Sequence, residues 1–202
     1  MRVSIFDYGA GNMHSLAKAI ASGGAEVLVE PDPVRVIETD VLVLPGVGAF
    51  GAAAARLAPG RDVMRAAVRD GLPCLGICLG MQLLFDESDE SDPHAESVQG
   101  LGVIAGRVTR IRARRVPQIG WNAVEEASDA LLETAPLAHA YYANSYVCRP
   151  NDDSVVTAWS THESDRFPAV VRSGQALGVQ FHPEKSSLPG LRFLHAFLDS
   201  VR

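Results

Sequence analysis

The chain has 202 residues, 47% of them apolar and 21% charged, with 18 Lys and Arg against 24 Asp and Glu for a formal charge of -6. That length fits one domain, and the composition is too apolar and too sparsely charged for a disordered segment. The negative balance excludes a general nucleic-acid binder, and three cysteines cannot close a disulfide framework, which points to a reducing compartment.

Residues 3–7 form a short apolar strand directly after Met1-Arg2, and nothing there has the pattern of a targeting segment. Gly9 and Gly11 follow, then a helical pattern over 12–22 that Gly23-Gly24 ends, then a strand over 25–29. Residues 41–44, Val-Leu-Val-Leu, are continuously apolar and closed by Pro45-Gly46. Such runs mark strands buried on both faces, as in a parallel sheet covered by helices. A helix over 52–70, interrupted at Pro59-Gly60, leads to a strand over 73–77 and a helix over 78–85. The uncharged stretch 72–85 contains Pro73, Gly76 and Gly80 and falls short of the ~20 residues a membrane span needs, so it reads as buried core of a soluble, cytoplasmic protein.

The second half changes rhythm. Strand candidates at 106–115, 140–148, 155–160, 169–172 and 176–181 are separated by turn residues, and a helix over 188–201 closes the chain. The pattern predicts an α/β fold over 1–202: one doubly wound, flavodoxin-like domain with a mainly parallel central sheet and an antiparallel extension. Residues 86–100 read as one long acidic surface loop.

Gly76-Ile77-Cys78-Leu79-Gly80 has the form of a nucleophile elbow with cysteine at its centre. The glycines permit a sharp strand-to-helix turn that exposes the central side chain, and a helix N-terminus favours the thiolate. The backbone N–H of Leu79 is a candidate oxyanion donor. Taken alone, the motif is equally compatible with a structural cysteine in a glycine-rich turn. Cys74 and Cys148 read as small core residues.

An elbow needs a base. Of six histidines, His182 ends an apolar strand in Gln180-Phe181-His182-Pro183-Glu184, and in an extended segment Glu184 would point the same way and orient the imidazole. His195 reads as a helix residue, and His94 and His162 as solvated loop residues. The turn Gly46-Val47-Gly48 follows a buried strand, where its glycines allow a peptide N–H to face an oxyanion. It lacks a phosphate-loop pattern, as does the turn 7–12, so nucleotide binding is the weaker reading.

Gly76-Ile77-Cys78-Leu79-Gly80-Met81-Gln82 together with Gln180-Phe181-His182-Pro183-Glu184-Lys185-Ser186 resembles the class I, triad-type glutamine amidotransferases, and 45–50 looks like their oxyanion strand. The stretches 7–12, 116–122 (Val-Pro-Gln-Ile-Gly-Trp-Asn) and Asn144-Ser145-Tyr146 are similar to the glutaminase subunits of imidazole glycerol phosphate synthases, of histidine biosynthesis. The resemblance implies a triad of Cys78, His182 and Glu184, with an oxyanion hole formed by the N–H groups of Val47 and Leu79 within Gly46–Gly48 and the elbow. It implies glutamine contacts at Gln82, Glu90, Ser145 and Tyr146, and no cofactor or metal. It also implies a heterodimer with a (β/α)8-barrel cyclase subunit that receives the ammonia, with Asn12, Trp121 and Lys185 at the interface. No membrane or nucleic-acid partner is expected. Asn144 stands where many of these proteins carry histidine. The basic run Arg107, Arg110, Arg112, Arg114 and Arg115 reads as a solvated hairpin, with the partner face as the alternative.

Overall fold

The computed structural model describes residues 1–9, 13–90 and 97–202. In chain order the first part runs β1 (Arg2–Phe6), α1 (His14–Ala21), β2 (Glu26–Glu30), β3 (Val41–Leu44), α2 (Phe50–Leu57), α3 (Arg61–Arg69), β4 (Cys74–Ile77) and α4 (Leu79–Leu83). A single 3-10 turn at Ala58–Gly60, carrying Pro59, separates α2 from α3. This is the expected interruption, because proline cannot donate to the helix it would continue.

The remainder is β5 (Phe85–Ser88), β6 (Val98–Gln99), β7 (Ile104–Arg110), β8 (Gln118–Ala123), α5 (Ala130–Thr134), β9 (His139–Asn144), β10 (Tyr146–Pro150), β11 (Val156–His162), β12 (Asp165–Ser173), β13 (Ala176–Val179) and α6 (Ser187–Ser200). The main sheet has the order β11-β12-β13-β4-β3-β1-β2. Strands β13, β4, β3, β1 and β2 are mutually parallel, and β12 and β11 extend the sheet antiparallel. The parallel part therefore reads 2-1-3-4 with β13 as its fifth strand, the doubly wound, flavodoxin-like order expected.

Side-chain alternation explains why β3 is apolar throughout. Val41 and Val43 join Leu16 and Ile20 of α1 and Phe193 and Phe197 of α6 in one core. Leu42 and Leu44 face the other way, onto Phe50 and Leu57 of α2 and Met64 and Val68 of α3. A strand with helices on both faces has no polar side to keep.

Several boundaries differ from the expectation. The helix after Cys78 stops at Leu83, and Phe85–Ser88 is a strand paired with β6 and β7, so 86–100 is not one open loop. Five consecutive buried residues give α4 no polar face, so the run carries no period from which to read its end. The stretch 140–148 divides at Ser145 into β9 and β10, which join different small sheets. Gln118–Ala123 forms a strand that the sequence did not announce, pairing antiparallel with β9. The arginines do not form a hairpin. β7 lies between β10 and β5, and the chain leaves it after Arg110 as a loop whose Arg114 and Arg115 N–H groups are held by the Glu163 carboxylate at 2.7 and 3.1 Å. All five side chains are exposed, and Arg107 pairs with Glu87 at 2.6 Å.

Candidate active site

The carboxyl ends of β3, β4 and β13 lie side by side and carry the glycine turn, Cys78 and the segment leading to His182. Cys78 has φ 48° and ψ -102°, a left-handed backbone that a non-glycine residue holds only when its surroundings impose it. Here they do. The Cys78 N–H donates to Val179 O at 2.7 Å, and its carbonyl accepts from the Gln82 N–H at 3.1 Å. The flanking glycines let the turn close: a Cβ on Gly80 would sit 1.9 Å from Leu44 O, and one on Gly76 2.6 Å from Gly80 O.

His182 is 2% exposed and its backbone N–H donates to Tyr141 O at 2.8 Å. Its Nδ1 lies 2.8 Å from Glu184 Oε1, which leaves Nε2 for the Cys78 thiol. Glu184 reaches the ring from a 3-10 turn, Pro183–Lys185, rather than from an extended strand. The contact expected from spacing is present, but a tight turn makes it. Ser186 braces that turn: its hydroxyl donates to His182 O at 2.7 Å and accepts from the Tyr141 N–H at 2.9 Å. Burial works against a charged imidazole, but the hydrogen bonds and charges of Cys78 and Glu184 outweigh it and raise His182 from 6.5 to about 10. The ring thus favours the imidazolium form, held between a sulfur and a carboxylate.

Cys78 lines a pocket of about 190 Å³ together with Gly46, Gly48, Leu79 and Gln82. Drug-sized sites run to roughly 300–1,000 Å³, so this one has the scale of a single small metabolite. A wider groove of about 760 Å³ lies beside α5 and α6 but contains no thiol. The smaller cavity is the one that Cys78 lines.

Residues 4–200 match the family model described as glutamine amidotransferase class-I. The chain belongs to that family. Among curated relatives, one from Methanothermobacter thermautotrophicus is 43% identical over 202 residues, covering 99% of each chain, and one from Symbiobacterium thermophilum is 45% identical, covering 96% of this chain and 91% of the relative. Both are named imidazole glycerol phosphate synthase subunit HisH. A solved glutamine amidotransferase superposes with TM-score 0.75 at 22% identity over 98% of both chains, and the structure of PurLQS from Thermotoga maritima with 0.72 at 19%. At those identities the likeness is one of fold.

The other expected residues of this amidotransferase sort by position. Ser145, Tyr146 and Glu90 line the pocket with Asn144 and the Ala143 backbone, and the Ala143 carbonyl is 3.9 Å from Cys78 Sγ. Glu90 Oε2 accepts from the Phe50 N–H at 3.2 Å, at the start of α2, and burial raises the Glu90 carboxyl against the effect of that bond. Within the glycine turn Val47 is half-buried between Gly46 and Gly48. A Cβ on Gly46 would lie 2.9 Å from His182 Cε1 and 3.1 Å from Cys78 Cβ, so only glycine lets the turn approach both groups.

Trp121 is 55% exposed and Ile119 67%, on the outer face of β8 opposite Tyr141 and Ala143 of β9. Trp121 thus lies outside the core, and its ring stands edge-on to Tyr141 at 6.3 Å. Lys185 is exposed in the turn that carries Glu184. Asn12 and His94 lie outside the described residues. His162 is half-buried, with Nε2 2.9 Å from Arg115 O, so it is not the free loop histidine expected. His195 meets Ser22 Oγ at 3.1 Å and Ala19 O at 3.2 Å, a packing role between α6 and α1. Cys74 and Cys148 are fully buried. No role for Gln180 or Ser186 follows from the sequence motifs themselves. For Gln180 the available signal was its place two residues before His182, at the end of the same strand.

Proposed function

We propose that this chain is the glutaminase subunit of an imidazole glycerol phosphate synthase and hands ammonia to a (β/α)8-barrel cyclase in a cytoplasmic heterodimer. One observation carries the reading: a buried Cys78–His182–Glu184 array whose Cys78 lines a pocket sized for one amino acid. The relatives' name supports the choice of synthase.

In this mechanism the Cys78 thiolate attacks the side-chain carbonyl carbon of glutamine, and the electron pair of the C=O moves onto oxygen. The backbone N–H groups of Leu79 and Val47 receive that oxyanion, with Gly46 and Gly48 giving the turn its freedom. As the C–N bond breaks, His182 gives its proton to the departing nitrogen, which leaves as ammonia. The neutral imidazole then takes a proton from water, whose oxygen attacks the thioester; the sulfur departs as thiolate and glutamate is released. Glu184 holds the tautomer and stabilises the imidazolium. Glu90, Ser145 and Tyr146 hold the amino and carboxylate ends of the substrate, and Gln82, whose NH2 group is turned to Tyr146 O and Gln180 Oε1, meets it through its free Oε1.

The face bearing Trp121 and Ile119, together with Lys185 and Asn12, meets the cyclase. Large exposed aromatics of this kind are enriched at interfaces. Because β9 carries Tyr141 and Ala143 on that face and also touches His182 and Cys78, docking and chemistry share one strand.

The test measures ammonia release from glutamine with and without the cyclase and its nucleotide substrate. Turnover should be low alone and rise when the cyclase binds. Cys78→Ser should abolish it while the heterodimer still forms, and a glutamyl thioester should be trapped on Cys78 of the wild type. Undiminished turnover by the serine variant sinks the proposal, as does failure to associate with the cyclase.

A further inference from the structure

Gln180 is fully buried directly beyond β13, and its backbone N–H donates to Ala169 O at 2.9 Å. Its side chain makes two contacts. Nε2 lies 3.4 Å from Cys78 Sγ, and Oε1 lies 3.4 Å from Gln82 Nε2. Gln82 Nε2 in turn donates to Tyr146 O at 3.0 Å, a carbonyl that also accepts from Asn144 Nδ2 at 3.1 Å.

The direction of this chain follows from its last member. A backbone carbonyl can only accept, so the end of Gln82 that faces Tyr146 must be its NH2 group. The second hydrogen of that group faces Gln180 and requires oxygen there. The NH2 group of Gln180 is then the end that meets the sulfur. Reversing either amide would set two donors or two acceptors against each other inside a buried site, where an unpaired polar group costs about 1–3 kcal/mol.

We propose that Gln180 is a positioning residue of the glutaminase reaction, donating a side-chain N–H to Cys78 Sγ with an orientation imposed by Gln82 and the Tyr146 carbonyl. The role rests on the function proposed above and deepens it. Among the described residues two side chains hydrogen-bond to the sulfur, and they differ in kind. His182 exchanges protons during the cycle, whereas an amide does not titrate. When the thioester breaks, His182 is occupied by the attacking water, and Gln180 supplies the hydrogen bond that receives the departing thiolate. Gln82 also lines the pocket, so a residue that faces glutamine sets the orientation of the group that faces the nucleophile. The titratable groups around the sulfur are His182 with Glu184 behind it, Cys148 of β10, and Glu90 on the pocket wall. None of them can replace an amide donor that stays charge-neutral at every pH.

Two near-isosteric variants in the complex with the cyclase separate a donor from mere filling of space. Gln180→Met removes the donor, and Gln180→Glu replaces it with an acceptor. The rate of iodoacetamide alkylation at Cys78 is followed against pH by peptide mapping. The methionine variant should move the profile upward by about one pH unit, the effect expected of losing one hydrogen bond to a charged group. The glutamate variant should move it further. For both, kcat should fall roughly tenfold or more while KM for glutamine stays within about twofold, since the lost contact stabilises the sulfur and not the substrate. Unmoved profiles, or equal shifts in the two variants, overturn the proposal.

A measurement on the wild-type chain stands independently of how the variants fold. The Gln180 side-chain amide resonances should move when Cys78 is alkylated, and resonances that stay in place overturn the proposal. Neither alkylation nor the resonances involve glutamine. A chain with the expected thiol behaviour that releases no ammonia refutes the glutaminase reading and leaves the Gln180–Cys78 contact supported.

Discussion

Replacing Gly80 with alanine drives a methyl group into β3. The added Cβ would lie 1.9 Å from Leu44 O, 2.5 Å from Leu44 C and 2.8 Å from Leu44 Cβ. A relaxed C···O contact needs about 3.3 Å or more, so α4 and β3 must separate by roughly 1.4 Å. β3 is hydrogen-bonded on both sides, to β1 and β4, and cannot yield. The short helix moves instead, and it begins at the residue after Cys78. A misplacement of about 1 Å at a reacting centre can cost about 10²-fold, and overpacking a close-packed core costs about 1–3 kcal/mol, at the upper end where backbone is struck. Gly80→Ala should therefore lower kcat at least about 100-fold in the presence of the cyclase. With a urea m-value of about 2–3 kcal/mol/M, its midpoint should fall by about 1 M. Gly71→Ala is the control: φ is +108° but no atom lies within 4 Å of the new Cβ, so it should lose roughly 1 kcal/mol and keep its activity. If Gly80→Ala retains kcat within twofold and the wild-type urea midpoint, the close approach of elbow and strand does not position the nucleophile.

Two further outcomes follow from buried groups. Asp129 accepts from the Leu131 N–H at 3.0 Å, capping α5, and binds Arg172 through both oxygens at 2.7 and 2.8 Å. Burial opposes its charge, but Arg172 and the cap win and hold the carboxyl below its usual range, so its contribution is present above about pH 4 and goes as pH falls through the depressed value. Asp129→Ala should lose about 3 kcal/mol and melt roughly 6–12 °C lower, with Asp129→Asn keeping the cap and losing less; a melting point within about 2 °C of wild type contradicts this. Burial also pushes Cys74 up to about 12 and Cys148 upward. An unfolded thiol titrates near 8.5, so above that pH the unfolded chain releases protons that the native chain keeps, and each thiol should remove about 1.4 kcal/mol per pH unit. Urea titrations at pH 8, 9 and 10 check the slope, and a flat stability across them refutes it.

The sequence was most legible where a local rule fixes the backbone. Gly76-Ile77-Cys78-Leu79-Gly80 marks its own turn because only glycine can approach Leu44 and the first turn of α4 so closely. The four apolar residues of β3 declare a strand buried on both faces. Proline at 59 breaks the helix wherever the rest of the chain lies. From such local statements the parallel core and a candidate nucleophile and histidine could be read before any coordinates, and the resemblance to class I glutamine amidotransferases supplied their expected roles.

Tertiary structure decided what depends on residues far apart in the chain. Glu184 reaches His182 because Ser186 and Tyr141 hold a 3-10 turn, not because alternate residues of a strand share a face. Strand β8 pairs with β9, and its alternation runs against the usual sense, with apolar Ile119 and Trp121 exposed and Gln118 buried. Ser145 divides one apparent strand in two because β9 and β10 find different partners. The amide chain from Tyr146 through Gln82 and Gln180 to Cys78 joins positions separated by 64, 98 and 102 residues. Sequence alone determined which residues could do the chemistry, since that is a matter of side-chain type and local turn geometry. Their polarity and contacts depend on packing between distant segments, and only the folded chain supplies it.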